Sequence, residues 1–126
     1  MTSVVIPWRS GCPYRQRALV WVLGRWAERF PTFDVVLGVH DDGPWCKAAA
    51  VADGLSKVAD GALILADADV WPLRPEALTV AVGALSEYGW AIPHGDVQRL
   101  TETASEAFMA DQPLPPRPWL QTPYPG

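Results

Sequence analysis

The chain has 126 residues, 49% of them hydrophobic, and a formal net charge of −4 at pH 7. This length suits one domain with an ordinary core, and no apolar run approaches the ~20 residues of a membrane span. The acidic balance argues against nucleic acid as a partner, because phosphate backbones are bound by concentrated positive surfaces. We expect a soluble, cytoplasmic protein in which Cys12 and Cys46 are reduced thiols, since they lack the spacing of a zinc or redox motif.

Predicted strands and helices alternate in the first half of the chain. Residues 4–7 form a short apolar strand, and residues 13–30 place apolar side chains at helical spacing. Residues 34–39 predict a second strand that ends in acidic residues. A second helix is predicted over residues 44–58.

The next apolar run, at residues 63–66, predicts a central strand that is buried on both faces. It ends in Asp67 and Asp69, whose side chains point the same way along an extended backbone. Like charges side by side repel unless donors or a cation neutralise them, and Mg²⁺ or Mn²⁺ completed by substrate phosphates is the usual solution. Solvated carboxylates at a strand end are the alternative.

The second half begins with a predicted helix over residues 78–89 and a short fourth strand at residues 90–93. Helical spacing returns at residues 97–108. Six prolines then follow, which exclude a helix or a central strand. We therefore predict a domain at residues 1–110 and a Pro-rich extended tail at residues 111–126.

This alternation predicts an α/β fold: a Rossmann-like, mostly parallel sheet with helices on both faces and right-handed crossovers. Ligands of such sheets bind outside the carboxyl ends of the strands. Three polar strand ends would meet at that edge: Trp8-Arg9, Asp41-Asp42 and Asp67-Ala68-Asp69. The sequence therefore predicts a metal–nucleotide site there.

Four segments occur in an order known from one family. They are residues 3–7, an opening strand; residues 39–43, similar to V-D-D-G; residues 47–55, similar to K-A-x-A-R-N-x-G; and residues 65–69, similar to D-x-D. Together they resemble the nucleotide-sugar-binding half of a family 2-like glycosyltransferase with the GT-A fold. The resemblance covers about residues 3 to 72.

The resemblance implies roles on the nucleotide side of the site. The backbone at Pro7 and Trp8 and the side chain of Asp42 would hold the nucleobase, uracil or guanine. Lys47 would approach the base or the phosphates, and an ordinary solvated helix lysine is the alternative.

On the metal side, the resemblance makes Asp69 the principal ligand of Mn²⁺ or Mg²⁺, while Asp67 would reach the ribose and the metal-bound phosphates. The cation would offset the negative charge that grows on the leaving diphosphate. The implied activity is transfer of the sugar from a UDP- or GDP-linked donor to an unknown acceptor, a hexosyltransferase reaction.

The chain also departs from the family pattern. Residues 44–46 replace a longer stretch, Asp53 stands where the family often has Asn, and the sequence stops at Gly126, before the acceptor-binding part and the catalytic base. We therefore assign no catalytic residue. A second copy of the chain or another partner is expected to supply the missing half.

Two other functions fit the same residues. A chain that keeps the donor half could be a non-catalytic nucleotide-binding or assembly subunit. Alternatively, a haloacid-dehalogenase-like phosphatase would use Asp67 as nucleophile and Asp69 as acid/base. That motif normally lies on the first strand, whereas two strand–helix units precede it here.

Overall fold

A computed structural model describes residues 1–113, so residues 114–126, which make up most of the tail predicted at residues 111–126, lie outside the described residues. Within this part of the chain there are three strands and four helices. In chain order they are β1 (Thr2–Trp8), α1 (Pro13–Arg29), β2 (Asp34–Val39), α2 (Lys47–Leu55), β3 (Ala62–Leu65), α3 (Glu76–Ala84) and α4 (Glu102–Met109). The predicted α/β class is confirmed.

The three strands form one parallel sheet in the order β2-β1-β3. β1 is the central strand, and its residues Val4, Val5 and Ile6 have no exposed surface. The prediction that residues 63–66 form the central strand is wrong, because β3 lies at an edge and its last residue, Leu65, is 58% exposed. Apolar composition does not distinguish the two positions, since what makes β1 central is a partner strand on each side.

The strand order reverses between β1 and β3, because the chain moves from β1 outward to β2 and then crosses back over β1. Right-handed crossovers then place the two connecting helices on opposite faces of the sheet. α2 packs on the face that carries Val5 and Gly38. The Arg15 guanidinium of α1 lies 5.9 Å from the centre of the Trp8 ring, which belongs to the opposite face by alternation.

Two glycines allow α2 to lie unusually close to the sheet. A Cβ added at Gly38 would collide with the Ala50 carbonyl oxygen, and one added at Gly54 would collide with the Val5 side chain. The Ala50 contact is with backbone, which cannot rotate away. α2 therefore lies against β1 and β2 at a distance that only glycine permits at these positions.

Two side chains, one in α2 and one just after it, bond to the backbone of β2 on the side that has no neighbouring strand. The Val39 N–H donates to Asp53 Oδ2 at 2.8 Å, and Lys57 Nζ donates to the Leu37 carbonyl at 2.9 Å. Lys57 also pairs with Asp53 Oδ2 at 2.8 Å. Because residues two apart direct their backbone groups to the same side of a strand, this ion pair satisfies groups that a further strand would otherwise use.

An aromatic cluster fixes the segment that follows β3 against α1. The Trp71 ring meets Trp26 and Trp21 edge-on, with centroids 5.2 Å and 6.3 Å away. Phe30 and Phe33 complete the cluster and stack on each other at 4.8 Å. Such pairs contribute about 0.5–1.5 kcal/mol beyond their buried area, so the chain beyond β3 is anchored at Trp71.

The chain divides into two compact units, Met1–Glu76 and Ala77–Gly126. The first contains the whole sheet and every residue of the predicted site. The second contains most of α3 and all of α4. The predicted domain boundary between residues 110 and 111 stays a prediction.

Within the second unit, the predicted strand at residues 90–93 is wrong. These residues are irregular, and Trp90 and Ile92 are 74% and 62% exposed. The last predicted helix begins later than expected, because Thr101 is extended and its Oγ1 accepts a hydrogen bond from the Ala104 N–H at 3.1 Å. The spacing of apolar residues thus predicted a strand that is not formed and a helix that is longer than α4.

The predicted ends of two other helices also shift. α2 begins at Lys47 rather than at residue 44, since Cys46 is still extended. α3 ends at Ala84, and tighter turns carry the chain on, with the Glu87 N–H donating to the Ala84 carbonyl at 3.0 Å. None of the helices found within residues 1–113 has both the length and the apolar character that crossing a bilayer requires.

Candidate functional site

The carboxyl ends of the three strands lie side by side at one edge of the sheet. Trp8 is paired with Val39 at the ends of β1 and β2, and Val5 is paired with Leu65 at the end of β3. The chain leaves these ends through Arg9, the acidic turn of residues 40–43, and residues 66–70. Parallel pairing therefore places the three predicted polar segments at the same edge.

Arg9 ties the end of β1 to the turn after β2. Its guanidinium Nη2 donates to the carbonyls of Asp41 at 2.9 Å and Gly43 at 2.5 Å. Gly43 has φ +61°, a conformation that favours glycine. The sequence placed Arg9 at this edge but gave it no role, because nothing in the pattern shows where a guanidinium reaches.

Asp42 lies between the two carbonyls that Arg9 holds. Its side chain is exposed, and within residues 1–113 it makes no hydrogen bond or ion pair. The turn therefore presents a carboxylate to solvent from a fastened backbone. A carboxylate in this position can accept hydrogen bonds from N–H or O–H donors of a ligand.

Lys47 and Asp67 form an ion pair beside the carboxyl ends of the strands. Lys47 is the first residue of α2, and its Nζ lies 2.6 Å from Asp67 Oδ1. Both side chains are accessible, at 58% and 50%. Exposed pairs of this kind contribute about 0.2–1 kcal/mol, so the contact is one that a stronger ligand can replace.

The segment that carries Asp67 and Asp69 is anchored at both ends. The Ala66 N–H donates to the Val5 carbonyl at 3.1 Å, and Trp71 enters the aromatic cluster. Between the two aspartates, Ala68 is only 1% exposed. β3 ends at Leu65, and Ala68 and Asp69 form a turn, so the expectation that an extended backbone directs both carboxylates the same way is wrong. Both side chains are exposed on this short, fastened loop, and Asp69 has no partner within the described part of the chain.

A divalent cation fits this donor set under one condition. Among residues 1–113 no group of three or more His, Cys, Asp or Glu side chains is arranged to hold a metal ion. Asp67 and Asp69 are two hard oxygen donors, the number that Mg²⁺ commonly takes from a protein when substrate phosphates supply the rest. In kind and number, these two donors suit a cation whose remaining ligands come from a phosphate group.

Pro7 and Trp8 end the central strand and are both buried, Trp8 at 6% exposure. The Trp8 ring packs beside Arg15, so its face is not open for stacking against a base. The role predicted for Pro7 and Trp8 involves only their backbone atoms. Burial of the side chains is compatible with that role, because the backbone lies at the carboxyl end of β1.

Asp53 bonds to Lys57 and to the free side of β2, and makes no hydrogen bond or ion pair with the predicted site residues. Hydrogen bonds from Lys57 and from the Val39 N–H lower the pKa of its carboxyl group, against a smaller opposing effect of desolvation. The spacing of Asp53 and Lys57 on a predicted helix indicates an i,i+4 pair, but not its contact with β2.

Comparison with known proteins adds no relative to this description. No protein-family model matches the chain, and neither the curated proteins nor the solved structures give a match. The glycosyltransferase resemblance thus depends on the four ordered segments, and the site on the geometry given above.

Proposed function

We propose that this chain binds a nucleotide diphosphate sugar, UDP- or GDP-linked, through a divalent cation at Asp67 and Asp69, and that it serves glycosyl transfer. The supporting observation is the strand order β2-β1-β3, with the turn containing Asp42 after β2 and the loop containing Asp67 after β3. The direction of strand addition reverses between β1 and β3. Open parallel sheets bind their ligands at such reversals, outside the carboxyl ends.

In this proposal each part of the edge acts on one part of the donor. Asp42 accepts hydrogen bonds from the base, on a turn that Arg9 fastens. Lys47, at the positive end of α2, attracts the diphosphate. Asp67 and Asp69 would hold Mn²⁺ or Mg²⁺, which supplies stabilisation of the leaving diphosphate. These roles follow the sequence resemblance to the GT-A glycosyltransferases, which implies the same assignment of residues.

The first test is thermal unfolding of the whole chain with UDP, GDP, UDP-glucose and GDP-mannose, each with and without Mn²⁺. A ligand at about 100 times its dissociation constant adds roughly 2.7 kcal/mol to the free energy of unfolding. We expect stabilisation that needs both one nucleotide and Mn²⁺. Asp69→Asn removes a charge with little change in shape and should abolish the stabilisation.

Asp60→Asn is the matched control. Asp60 is also exposed, but it precedes β3 and so lies at the amino end of the strand, away from the proposed site. This variant should retain the wild-type response. A folded wild-type chain that responds to no combination of nucleotide and Mn²⁺ would overturn the proposal.

Turnover is tested on the nucleotide that stabilises the chain. Release of UDP or GDP from the nucleotide sugar, with transfer of the sugar to water or to an added acceptor, supports glycosyl transfer. Binding without release supports the non-catalytic nucleotide-binding subunit. Phosphate release from a phosphomonoester, lost in Asp67→Asn, would instead support the phosphatase alternative.

A further inference from the structure

We propose that Lys47 competes with the divalent cation for Asp67 in the ligand-free protein, and that binding of a nucleotide diphosphate favours release of Asp67 to the cation. This inference rests on the proposed function and adds a regulation of the same site. It predicts that cation and nucleotide bind as a strongly coupled pair, each weakly when alone.

Lys47 and a divalent cation would compete for one oxygen of Asp67. The Lys47 ammonium is 2.6 Å from Asp67 Oδ1, which is hydrogen-bond contact between full charges. A divalent cation needs the same carboxylate lone pairs, and it would also repel an ammonium held at that distance. Cation binding at Asp67 therefore requires Lys47 to leave.

A divalent cation without a nucleotide gains few ligands from the protein. Within residues 1–113 no third His, Cys, Asp or Glu joins a metal-binding group with these carboxylates. A cation without phosphate would exchange several water ligands for at most two carboxylates, and would displace Lys47 as well. A diphosphate supplies further oxygens, which shifts the balance toward binding.

Lys47 gains another partner once the diphosphate is present. Lys47 begins α2, and the side chain of the N-cap residue, Cys46, makes no capping hydrogen bond. The N–H groups of the first helical turn point out of the amino end of the helix, where they can bind an anion. The long, 58% exposed lysine side chain can thus turn from the carboxylate to a phosphate oxygen.

The contact is also weak enough to be exchanged. An ion pair this exposed changes an equilibrium by about fivefold at most. This sets the size of the expected effect: Lys47 lowers the affinity for the cation alone by a small factor, and raises the affinity for the cation–nucleotide pair. By linkage, the cation and the nucleotide increase each other's affinity by the same factor.

Calorimetric titration of the full chain tests this directly. Mn²⁺, UDP and GDP are titrated alone, and each nucleotide is titrated again at saturating Mn²⁺. We count only the Mn²⁺ binding that is lost in Asp67→Asn. In the wild type we expect Mn²⁺ to raise the nucleotide affinity at least about tenfold, a typical coupling between sites.

Lys47→Gln separates the two roles of the lysine. We expect it to bind Mn²⁺ alone about fivefold more tightly than the wild type and the Mn²⁺–nucleotide pair more weakly, so the coupling falls at least threefold. Lys47→Arg keeps the charge and should stay close to the wild type. Arg29→Gln, at the last turn of α1, makes the same charge change outside the site and should alter neither affinity.

The outcomes distinguish this inference from the proposed function. If the wild type binds nucleotide with Mn²⁺ but Lys47→Gln leaves the affinity for Mn²⁺ alone unchanged or lower, the exchange is wrong and the donor site stands. If the folded wild type binds no nucleotide under any condition, the proposed function fails, and the inference fails with it. Circular dichroism of each variant shows that the fold is retained.

Discussion

At the residue scale, Asp53 links a helix to the backbone of an edge strand. Its carboxylate accepts hydrogen bonds from the Lys57 side chain and from the Val39 N–H, and these lower its pKa. A group whose pKa is lower in the folded than in the unfolded chain stabilises the fold above its unfolded value, about 3.9 for aspartate. This contribution disappears as the pH falls through the folded-state pKa.

We therefore predict that Asp53→Asn makes stability less sensitive to acid. The wild type should lose free energy of unfolding as the pH falls from about 5 toward the folded-state pKa of Asp53, and the variant should lose less over the same range. Urea unfolding at stepped pH measures this slope. Asp60→Asn should keep the wild-type slope, and equal slopes in wild type and Asp53→Asn would contradict the role of Asp53.

Arg9 provides the second residue-scale prediction. Its two hydrogen bonds to the Asp41 and Gly43 carbonyls should hold the turn of residues 40–46 with about 1–2 kcal/mol of local stability. In Arg9→Ala, hydrogen exchange in this turn should rise roughly five- to thirtyfold. Arg29→Ala should leave it unchanged. Unaltered exchange in Arg9→Ala would show that the turn is held by other contacts.

The sequence predicted some of these residues and not others, for a physical reason. Asp67 was assigned to the carboxyl ends of the strands, because strand alternation and parallel pairing place it there whatever its side chain does. Lys47 was assigned to the site by the family resemblance alone. The contacts of Arg9 and Asp53 depend on where flexible side chains reach over 32 and 14 residues of separation. Residue spacing carries no such information.

At the element scale, the contact between α2 and the sheet controls the position of Lys47. Gly38 and Gly54 let the helix backbone approach β1 and β2, and a Cβ at Gly38 would collide with the Ala50 carbonyl. We predict that Gly38→Ala lowers the free energy of unfolding by about 1–3 kcal/mol, the usual effect of overpacking. It should also weaken binding at the site, because α2 must move and Lys47 with it.

Chemical denaturation of the variants measures this effect. Gly24→Ala is the matched control, since Gly24 lies inside α1 and a Cβ there meets nothing within 4 Å. It should stabilise the protein by about 0.5–1 kcal/mol through helix propensity. If Gly38→Ala were as stable as the wild type, the close approach of α2 would have no energetic importance.

The elements themselves were predictable where local pattern and tertiary pairing agree. Residues 34–39 were assigned as a strand with the bounds that the structure gives β2, and α1 was predicted to within one residue. Residues 90–93 have the composition of a strand, yet Trp90 and Ile92 are exposed. A strand needs a neighbour to pair with, and a local pattern does not show whether one is present.

At the scale of the whole molecule, all four segments of the glycosyltransferase resemblance fall within the first compact unit, Met1–Glu76. We therefore predict that the nucleotide and Mn²⁺ together slow hydrogen exchange in residues 40–47 and 66–70, with α4 unchanged. Mass spectrometry of the full chain measures this, with Asp69→Asn as the control that loses protection. Protection confined to α4 would place ligand binding in the second unit.

The two edge strands, β2 and β3, differ in how many backbone groups are free to pair with a strand from another chain. On β2, the Leu37 carbonyl and the Val39 N–H are already bonded to Lys57 and Asp53. On β3, no strand within residues 1–113 pairs with the outer side. A strand from another chain can therefore pair with β3 more readily than with β2. Such a strand would extend the sheet on the side of the loop that carries Asp67 and Asp69, away from the turn that carries Asp42.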